Sequence, residues 1–470
     1  MSTLVRNSIF MGLFNIFGRA SGVIRYVLLV SLLPAHWFSI MSYALSFGRI
    51  GRTFTDGGLD NLISRDGARA PDRVPEFLFH GLVMKASLSV PFIIGAFFYL
   101  TAVREKGVFE LAVIYTALFG SLMLSMTGVI RSAFTAVERM EYVFYTNLPS
   151  RLISISILAV TLGLGWNLIV SAAAISLENV LWFVMLGAVS LRFFPIRAKF
   201  SFSTIRYMIS ESWSLALYSF FNIFYLSLDV MMIDYLMGVE SVAPYTYASQ
   251  LMEGLIMLAS GYLIAVYPVF SRLHETDDDS YQRLFQQSVV VLLTLTIPAT
   301  AFLGFWSPEW MNLIPNNQPI SGSVLRVLSI TLNLSILNTL LIIVFTSRNR
   351  QRLLVAFTGG AVGFSFASNW LLIPLFAQAG AAYATLISQG ALFLVMGGVA
   401  WRLFGIRIPW IKPLGILGVS LFSGFALWII PGLPLFAIPF LYPVILYAAA
   451  RLSGVLTQEE LKKLIQTVRK

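Results

Sequence analysis

Cysteine is absent from this chain of 470 residues, which excludes disulfides and every metal site or nucleophile built on a thiolate. Charge is also scarce, because only 11% of the residues are charged, against about a quarter in a soluble domain. The three histidines, His36, His80 and His274, are scattered, and none pairs with a plausible nucleophile or metal set. Hydrophobic residues make up 57% of the chain. No water-soluble fold could bury so much apolar surface, so most of it must face lipid or other helices.

Long apolar runs follow one another along the whole sequence. A spanning helix needs about 20 mostly apolar residues, and Pro, Gly or charged clusters separate the runs. The first run is too long for a signal-peptide core and contains Arg19 and Arg25, so we interpret it as a retained span. The sequence predicts an all-α polytopic membrane protein with fourteen spans, near residues 8–33, 37–57, 77–102, 109–133, 142–163, 167–190, 212–236, 242–270, 284–305, 321–345, 352–376, 380–401, 410–430 and 433–451.

The net charge of +10 is high enough to suggest nucleic acid as a partner, but the positions of the basic residues indicate membrane topology instead. With the N-terminus in the cytoplasm, the Lys and Arg residues between spans fall almost entirely on the cytoplasmic side, as the positive-inside rule requires. The opposite side receives only Arg104 and Lys106. We therefore expect a multi-pass membrane protein with both termini in the cytoplasm and no nucleic-acid partner.

Two short motifs recur at nearly the same offset. The residues FNIF at 14–17 return at 221–224, and SYA at 42–44 is echoed by TYA at 246–248. Duplicated halves are typical of transporters, whose site lies where the halves meet. The pattern predicts the following division: a six-helix lobe over 1–200, a second six-helix lobe over 201–405, a helix pair over 406–452 and a cytoplasmic tail over 453–470 that is either an amphipathic surface helix or a solubilising segment.

Ionisable residues at membrane depth are costly and usually mark a transport pathway. In the first lobe these residues are mostly basic, and the candidates for an anion site are Arg19, Arg25, Arg49, Arg52, Lys85 and Arg151. Arg52 and Asp56 have the i, i+4 spacing of an ion pair, so these two residues have a purely structural alternative in which they neutralise each other and Lys85 snorkels. Arg19 and Arg49 lie ~17 Å into their spans and would need an aqueous cavity. Because guanidinium groups bind phosphate oxygens bidentately, we hypothesise that Arg19, Arg25 and Arg49 hold a pyrophosphate.

The second lobe carries acidic residues instead. Asp229, Asp234 and Glu253 face few cations, with Arg326 the nearest available. One hypothesis is a coupling site for H⁺ or Na⁺ at Asp229, and the alternative is a carboxylate that packs helices through hydrogen bonds. Apart from such a coupling ion, no cofactor and no metal site are expected.

Two segments resemble the polysaccharide flippases of the multidrug/oligosaccharidyl-lipid/polysaccharide exporter superfamily. Residues 56–65 (DGGLDNLISR) are similar to the end of span two in O-antigen flippases. Residues 369–374 (NWLLIP), followed by GAA at 380–382 and AT at 384–385, are similar to the junction of spans eleven and twelve. The resemblance implies two lobes that form a V around a central cavity. It also implies a flippase that moves a polyprenyl-diphosphate-linked oligosaccharide for surface polysaccharide synthesis, with membrane lipid and glycan-assembly enzymes as partners.

A second branch of the superfamily, the lipid II flippases, is also similar. Its first-span motif matches Arg19-x-x-Gly22-x-x-Arg25, and its span-two motif matches residues 52–57 (RTFTDG). This resemblance implies that Arg19, Arg25 and Arg52 contact the lipid-linked diphosphate. Some lipid II flippases also bind sodium, and this resemblance implies that Asp229 and Asn369 belong to an ion site. Together with the acidic Glu253 they form the candidate ion-coupling set. The residue four after Asn369 is Ile373, however, which cannot ligate an ion.

Two rival functions remain open. A multidrug antiporter of the same superfamily would have an apolar or acidic site, which the basic first lobe disfavours. A membrane glycan polymerase or glycosyltransferase is the rival from another class, although such families usually carry a large periplasmic loop with catalytic residues. The longest such gap lies at about 306–322, and Glu309 is its only charge. The sequence therefore favours a transporter over an enzyme.

Overall fold

The computed structural model describes residues 3–195, 200–314, 319–430, 434 and 436–452. All regular structure in these ranges is helical. The predicted tail at 453–470 lies outside them. The contacts divide the chain into two compact units, a first unit of Met1–Ala243 and a second unit of Pro244–Lys470.

Eight α-helices form the first unit. They are α1 (Thr3–Leu32), α2 (Ala35–Asp56), α3 (Leu59–Arg69), α4 (Val74–Phe98), α5 (Val108–Ala136), α6 (Met140–Gly163), α7 (Leu168–Phe193) and α8 (Phe202–Met237). A π-helical turn, Tyr99–Val103, extends α4, and short 3-10 turns precede α4 and follow α8. Helix α5 packs against α2 and α7, α1 packs against α6, and α8 packs along α2. The seventh predicted span therefore belongs to the first unit by its contacts. The lobe boundaries predicted from the repeat stay a prediction.

The second unit contains the other helices. They are α9 (Val242–Thr276), α10 (Asp278–Phe305), α11 (Ser307–Asn312), α12 (Ile320–Ser347), α13 (Gln351–Phe376), α14 (Gln378–Phe404), α15 (Ile411–Trp428) and α16 (Ile438–Leu452). Helices α12, α13 and α14 pack together, and α10 packs against α12 and α15.

Twelve helices of the described residues are long and apolar enough to cross a membrane, which confirms the polytopic class. Two of the fourteen predicted spans, α2 and α16, are not among these twelve. With 22 residues, α2 is about 33 Å long and could reach across the bilayer, but it is more polar than these twelve helices. Helix α16 is apolar but has only 15 residues. The polar residues that set α2 apart include the basic candidates Arg49 and Arg52.

The two segments that resemble polysaccharide flippases both contain glycines at tight junctions. Gly57 and Gly58 have φ angles of 52° and 72°, a left-handed conformation that glycine adopts without strain, and they end α2 and start α3. A Cβ on Gly58 would also lie 3.0 Å from the backbone nitrogen of Ala216 in α8. At the second segment, a Cβ on Gly380 would lie 2.1 Å from the carbonyl oxygen of Leu372. Both junctions therefore require glycine for packing.

The internal repeat places equivalent residues in equivalent environments. Tyr43 in α2 is 1% exposed and Tyr247 in α9 is 0% exposed, and the alanines that follow them, Ala44 and Ala248, are both 0% exposed. One copy of this pair lies in the core of each unit.

Candidate functional site

The α2–α3 junction carries a buried ion network centred on Lys85 of α4. The Lys85 ammonium lies 2.8 Å from Asp56 Oδ1 and 2.7 Å from Asp60 Oδ1, and it donates a third hydrogen bond to the carbonyl oxygen of Ser125 at 2.8 Å. The side chain of Lys85 is 0% exposed. All three ammonium donors are thus used within the protein, and Lys85 acts here as a structural cation.

Asp60 joins this network to α5. Its second carboxylate oxygen lies 3.6 Å from the guanidinium of Arg131. A Cβ on Gly128 would lie only 2.2 Å from the same oxygen, so the carboxylate occupies the space that the glycine leaves. Sequence reasoning missed the role of Asp60, although it lies in the segment that resembles polysaccharide flippases. The left-handed turn at Gly57 and Gly58 is the signal that could have shown Asp60 returning towards α4.

Two expectations for this region are wrong. Arg52 and Asp56 do not form the i, i+4 ion pair, because Asp56 is paired with Lys85 instead. Lys85 does not snorkel, because its ammonium is held inside the protein by two carboxylates. Asp56 therefore pairs with a residue of another helix, α4, and not with a residue of its own helix, α2.

The network leaves Arg52 as an exposed cation. Its side chain is exposed, and within the described ranges it forms no ion pair and no side-chain hydrogen bond. The Arg52 guanidinium lies near two further cations, Arg131 and Arg49, and beyond ion-pair distance of the carboxylates of Asp60 and Asp56. This guanidinium can therefore accept an anion without first breaking an ion pair.

A second cluster joins α1, α6 and α7. Glu178, whose side chain is 7% exposed, forms ion pairs with both Arg25 and Arg151. The Arg151 Nε atom lies 3.3 Å from Glu178 Oε1, and its guanidinium also donates to Asn147 and, at 2.6 Å, to Ser21 Oγ. One carboxylate thus serves two guanidinium groups, and the cluster keeps an excess positive charge.

The remaining predicted cations, Arg19 and Arg49, are half-buried. Arg49 donates a hydrogen bond to Ser46 Oγ at 3.0 Å. Arg19 lies on α1 six residues before Arg25, and it makes no ion pair or hydrogen bond with any residue that the structure describes. The predicted diphosphate ligands therefore divide into neutralised cations, such as Lys85, and open ones, namely Arg19 and Arg52.

One expectation for the acidic residues is also wrong. Asp234, at the end of α8, is 0% exposed and is paired with both basic residues of the segment that precedes α5. Its Oδ2 atom lies 2.8 Å from the guanidinium of Arg104, and its Oδ1 atom lies 2.7 Å from Lys106 Nζ. Asp234 therefore anchors α8 to this segment and faces two cations.

The predicted coupling residues lie in different units. Asp229 is buried in α8 of the first unit. In the second unit, Glu253 is exposed on α9 and accepts a hydrogen bond from Gln250 at 3.2 Å, whereas Asn369 is buried in α13 and donates to the carbonyl oxygen of Ser365 at 3.0 Å. Among the described residues, no group of three or more His, Asp or Glu could hold a metal ion. Ion coupling stays a prediction.

Two family models match the sequence. The model described as polysaccharide biosynthesis protein matches residues 4–274, and the model described as MatE matches residues 215–371. No curated protein matches the chain.

Several solved structures share the fold. A lipid II flippase, MurJ, in its inward closed conformation aligns with a TM-score of 0.74 and 13% identity, over 96% of this chain and 98% of that one. An inward-facing multidrug resistance transporter of the MATE family aligns with a TM-score of 0.61 and 16% identity, over 82% of this chain and 95% of that one. A MOP superfamily transporter from Pyrococcus furiosus, described as having a binding pocket of reverse polarity, aligns with a TM-score of 0.56 and 13% identity, over 85% and 96% of the two chains.

Proposed function

Because the chain belongs to the polysaccharide biosynthesis protein family, within the multidrug/oligosaccharidyl-lipid/polysaccharide exporter superfamily of transporters, we propose that it is a flippase for a lipid-linked glycan. Its substrate is a polyprenyl-diphosphate-linked oligosaccharide, which it moves from the cytoplasmic to the outer leaflet of the bacterial cytoplasmic membrane by alternating access. The product serves the synthesis of cell-surface polysaccharide. The termini lie in the cytoplasm, and glycan-assembly enzymes supply and consume the substrate.

The open guanidinium of Arg52 is the observation that carries this proposal. It lies in the most polar of the long helices, next to a network in which Lys85 is already neutralised. A transporter of organic cations gains nothing from such a group, whereas a diphosphate gains a bidentate, charge-assisted donor. Arg19 supplies a second open cation, and Arg25 and Arg151 supply the excess charge of the cluster around Glu178.

The physical task of a flippase explains why such cations are useful. A diphosphate that leaves water loses its hydration, and the cost in an apolar medium is large. Fixed guanidinium donors replace part of the lost hydration and so lower the barrier to crossing. The polyprenyl chain has no such cost and remains in the lipid.

Lipid II is the second candidate substrate, and the sequence motif in α1 supports it. Gly22 lies between Arg19 and Arg25, in the spacing that resembles the lipid II flippases. A Cβ on Gly22 would meet no atom within 4 Å, so packing within the protein does not require this glycine. The free space beside two arginines is suited to a bulky diphosphate ligand. Lipid II carries the same diphosphate, so the arginines alone do not separate the two substrates.

Transport in proteoliposomes tests the proposal. The protein is reconstituted with a labelled polyprenyl-diphosphate oligosaccharide or with labelled lipid II, and the label that reaches the opposite leaflet is measured. We expect faster flipping of the oligosaccharide and a loss of at least tenfold in Arg52→Gln, the size expected for one charge-assisted pair. Arg69→Gln, which removes a guanidinium from a side chain that is 75% exposed, is the matched control. Flipping of lipid II alone would move the function to the second candidate, and flipping that is unchanged in Arg52→Gln would overturn the role of Arg52.

The coupling ion is part of the same proposal. We assign H⁺ or Na⁺ coupling to Asp229, with Glu253 and Asn369 as the further candidates. Asp229 is buried in the spanning part of α8, and ionisable residues at membrane depth usually mark a transport pathway.

A further inference from the structure

A groove lies among the ends of three helices in the second unit, and the transport chemistry above does not use it. Phe305 ends α10, Trp428 ends α15, and Arg326 lies about 9 Å along the axis from the first residue of α12. Residues of these helices line this groove, whose volume is about 460 Å³, within the size range of small-molecule sites.

Arg326 gives this groove a positive charge. Its side chain is exposed, and its Nε atom donates to the carbonyl oxygen of Gly304 at 3.2 Å and to Ser307 Oγ at 3.3 Å. These two contacts orient the guanidinium. In the part of the chain that the structure describes, no carboxylate pairs with Arg326, and its terminal nitrogens donate no hydrogen bond. Glu309, the nearest acidic residue in the sequence, is not within ion-pair distance. The terminal nitrogens are therefore available to an anion.

The walls of the groove are apolar and open. Phe425 and Trp428 are more than half exposed, at 51% and 56%, and Leu421 is 46% exposed. A small aqueous anion would bind Arg326 but would leave this apolar surface uncovered. An amphipathic anion with a hydrocarbon chain matches both the charge and the walls.

We propose that this groove binds an anionic glycerophospholipid of the surrounding membrane, with its phosphate on Arg326 and an acyl chain along Phe425 and Trp428. The position near the helix ends fits this ligand, because Trp and Arg side chains are typical of the membrane–water interface. The guanidinium provides two parallel donors to phosphate oxygens. The described residues that line the groove include no carboxylate, so the ammonium group of a zwitterionic lipid would approach Arg326 without a partner, and we expect such a lipid to bind less well. The site does not depend on which glycan is transported.

Native mass spectrometry of the purified protein tests this site. The protein in detergent is titrated with phosphatidylglycerol and, separately, with phosphatidylcholine, and the bound lipids are counted. We expect one tight phosphatidylglycerol site. Arg326→Gln should weaken it about tenfold or more, to the level of phosphatidylcholine. Arg402→Gln, which removes an exposed arginine of α14 outside the groove, should leave it unchanged.

A second variant tests whether the open space of the groove is needed when the charge of Arg326 is kept. A Cβ at Gly304 would meet only Ser329 Oγ, at an ordinary contact distance of 3.5 Å, so Gly304→Leu fills the groove and keeps Arg326. We expect it to lose the tight site as well, and it decides the question if Arg326→Gln does not fold. Equal binding of the two lipids by the wild type, or phosphatidylglycerol binding that survives in Gly304→Leu, would overturn the proposal. Displacement of phosphatidylglycerol by a lower concentration of polyprenyl phosphate would overturn it too, because the groove would then belong to the substrate lipid.

Discussion

Replacement of Lys85 by Met tests the buried network at the α2–α3 junction. The ammonium of Lys85 contacts Asp56 Oδ1 at 2.8 Å and Asp60 Oδ1 at 2.7 Å. Met keeps an unbranched apolar side chain but leaves these two carboxylates near each other without that cation. Removing one partner from a buried ion pair costs about 3–5 kcal/mol. Because Arg131 remains 3.6 Å from Asp60, we expect the lower end of this range.

Thermal unfolding of the purified protein in detergent measures this loss. For a unit of this size, about 3 kcal/mol corresponds to a fall in Tm of roughly 6–12 °C. The variant Lys85→Met/Asp56→Asn should recover more than half of the loss, because it also removes the carboxylate whose ion pair is with Lys85, whereas Asp60 keeps Arg131 at 3.6 Å. Arg69→Gln, on an exposed side chain, should change stability by less than about 0.5 kcal/mol. An unchanged Tm in Lys85→Met, or a further loss on adding Asp56→Asn, would refute the reasoning.

Three further predictions concern other parts of the first unit. Gly128→Ala places a Cβ 2.2 Å from Asp60 Oδ2, so we expect a lower Tm than wild type in the same assay, and an unchanged Tm would contradict the close approach. The hydrogen bond from Arg65 holds the pKa of Asp66 below its ordinary value of 3.8. The stability that this carboxylate contributes is therefore complete above that value and is lost as the pH falls through the lower pKa of the folded state. Between pH 6 and pH 3 the Tm of the wild type should fall more than that of Asp66→Asn, and parallel falls would exclude the contribution. We also expect Asp229→Asn to make transport insensitive to an imposed H⁺ or Na⁺ gradient in proteoliposomes, and a wild-type response would remove the coupling role.

The fold could be predicted from the sequence because apolar runs of spanning length dominate it. The prediction of spans was least accurate for two helices. Helix α2 is more polar than the other long helices, and α16 is shorter than they are. The segment that resembles polysaccharide flippases predicted the end of span two, and α2 ends at the first residue of that segment, Asp56. Its left-handed glycines, Gly57 and Gly58, lie at the end of α2.

The ion pairs could not be predicted in the same way. Lys85 and Asp60 are 25 residues apart, and Arg104 and Asp234 are 130 residues apart. Only packing of separate helices brings such pairs together. Sequence spacing shows pairs along one helix, and this is why it proposed the pair of Arg52 with Asp56, which the structure does not form.

Packing also determines which of the basic candidate residues are neutralised. From the sequence alone, all six basic residues within the predicted spans of the first lobe are equal candidates for the anion site. The carboxylates of the folded chain neutralise Lys85 and half-neutralise the pair of Arg25 and Arg151. The open cations could be identified only after these partners were known.

Binding of a polyprenyl diphosphate without sugars is the most direct measurement of whether the open Arg52 guanidinium holds the substrate's diphosphate. The purified protein is titrated with this lipid, and the affinities of the wild type, Arg52→Gln and Arg69→Gln are compared at equal Tm. We predict at least tenfold weaker binding in Arg52→Gln and wild-type binding in Arg69→Gln. Equal affinity of Arg52→Gln and the wild type would contradict the account.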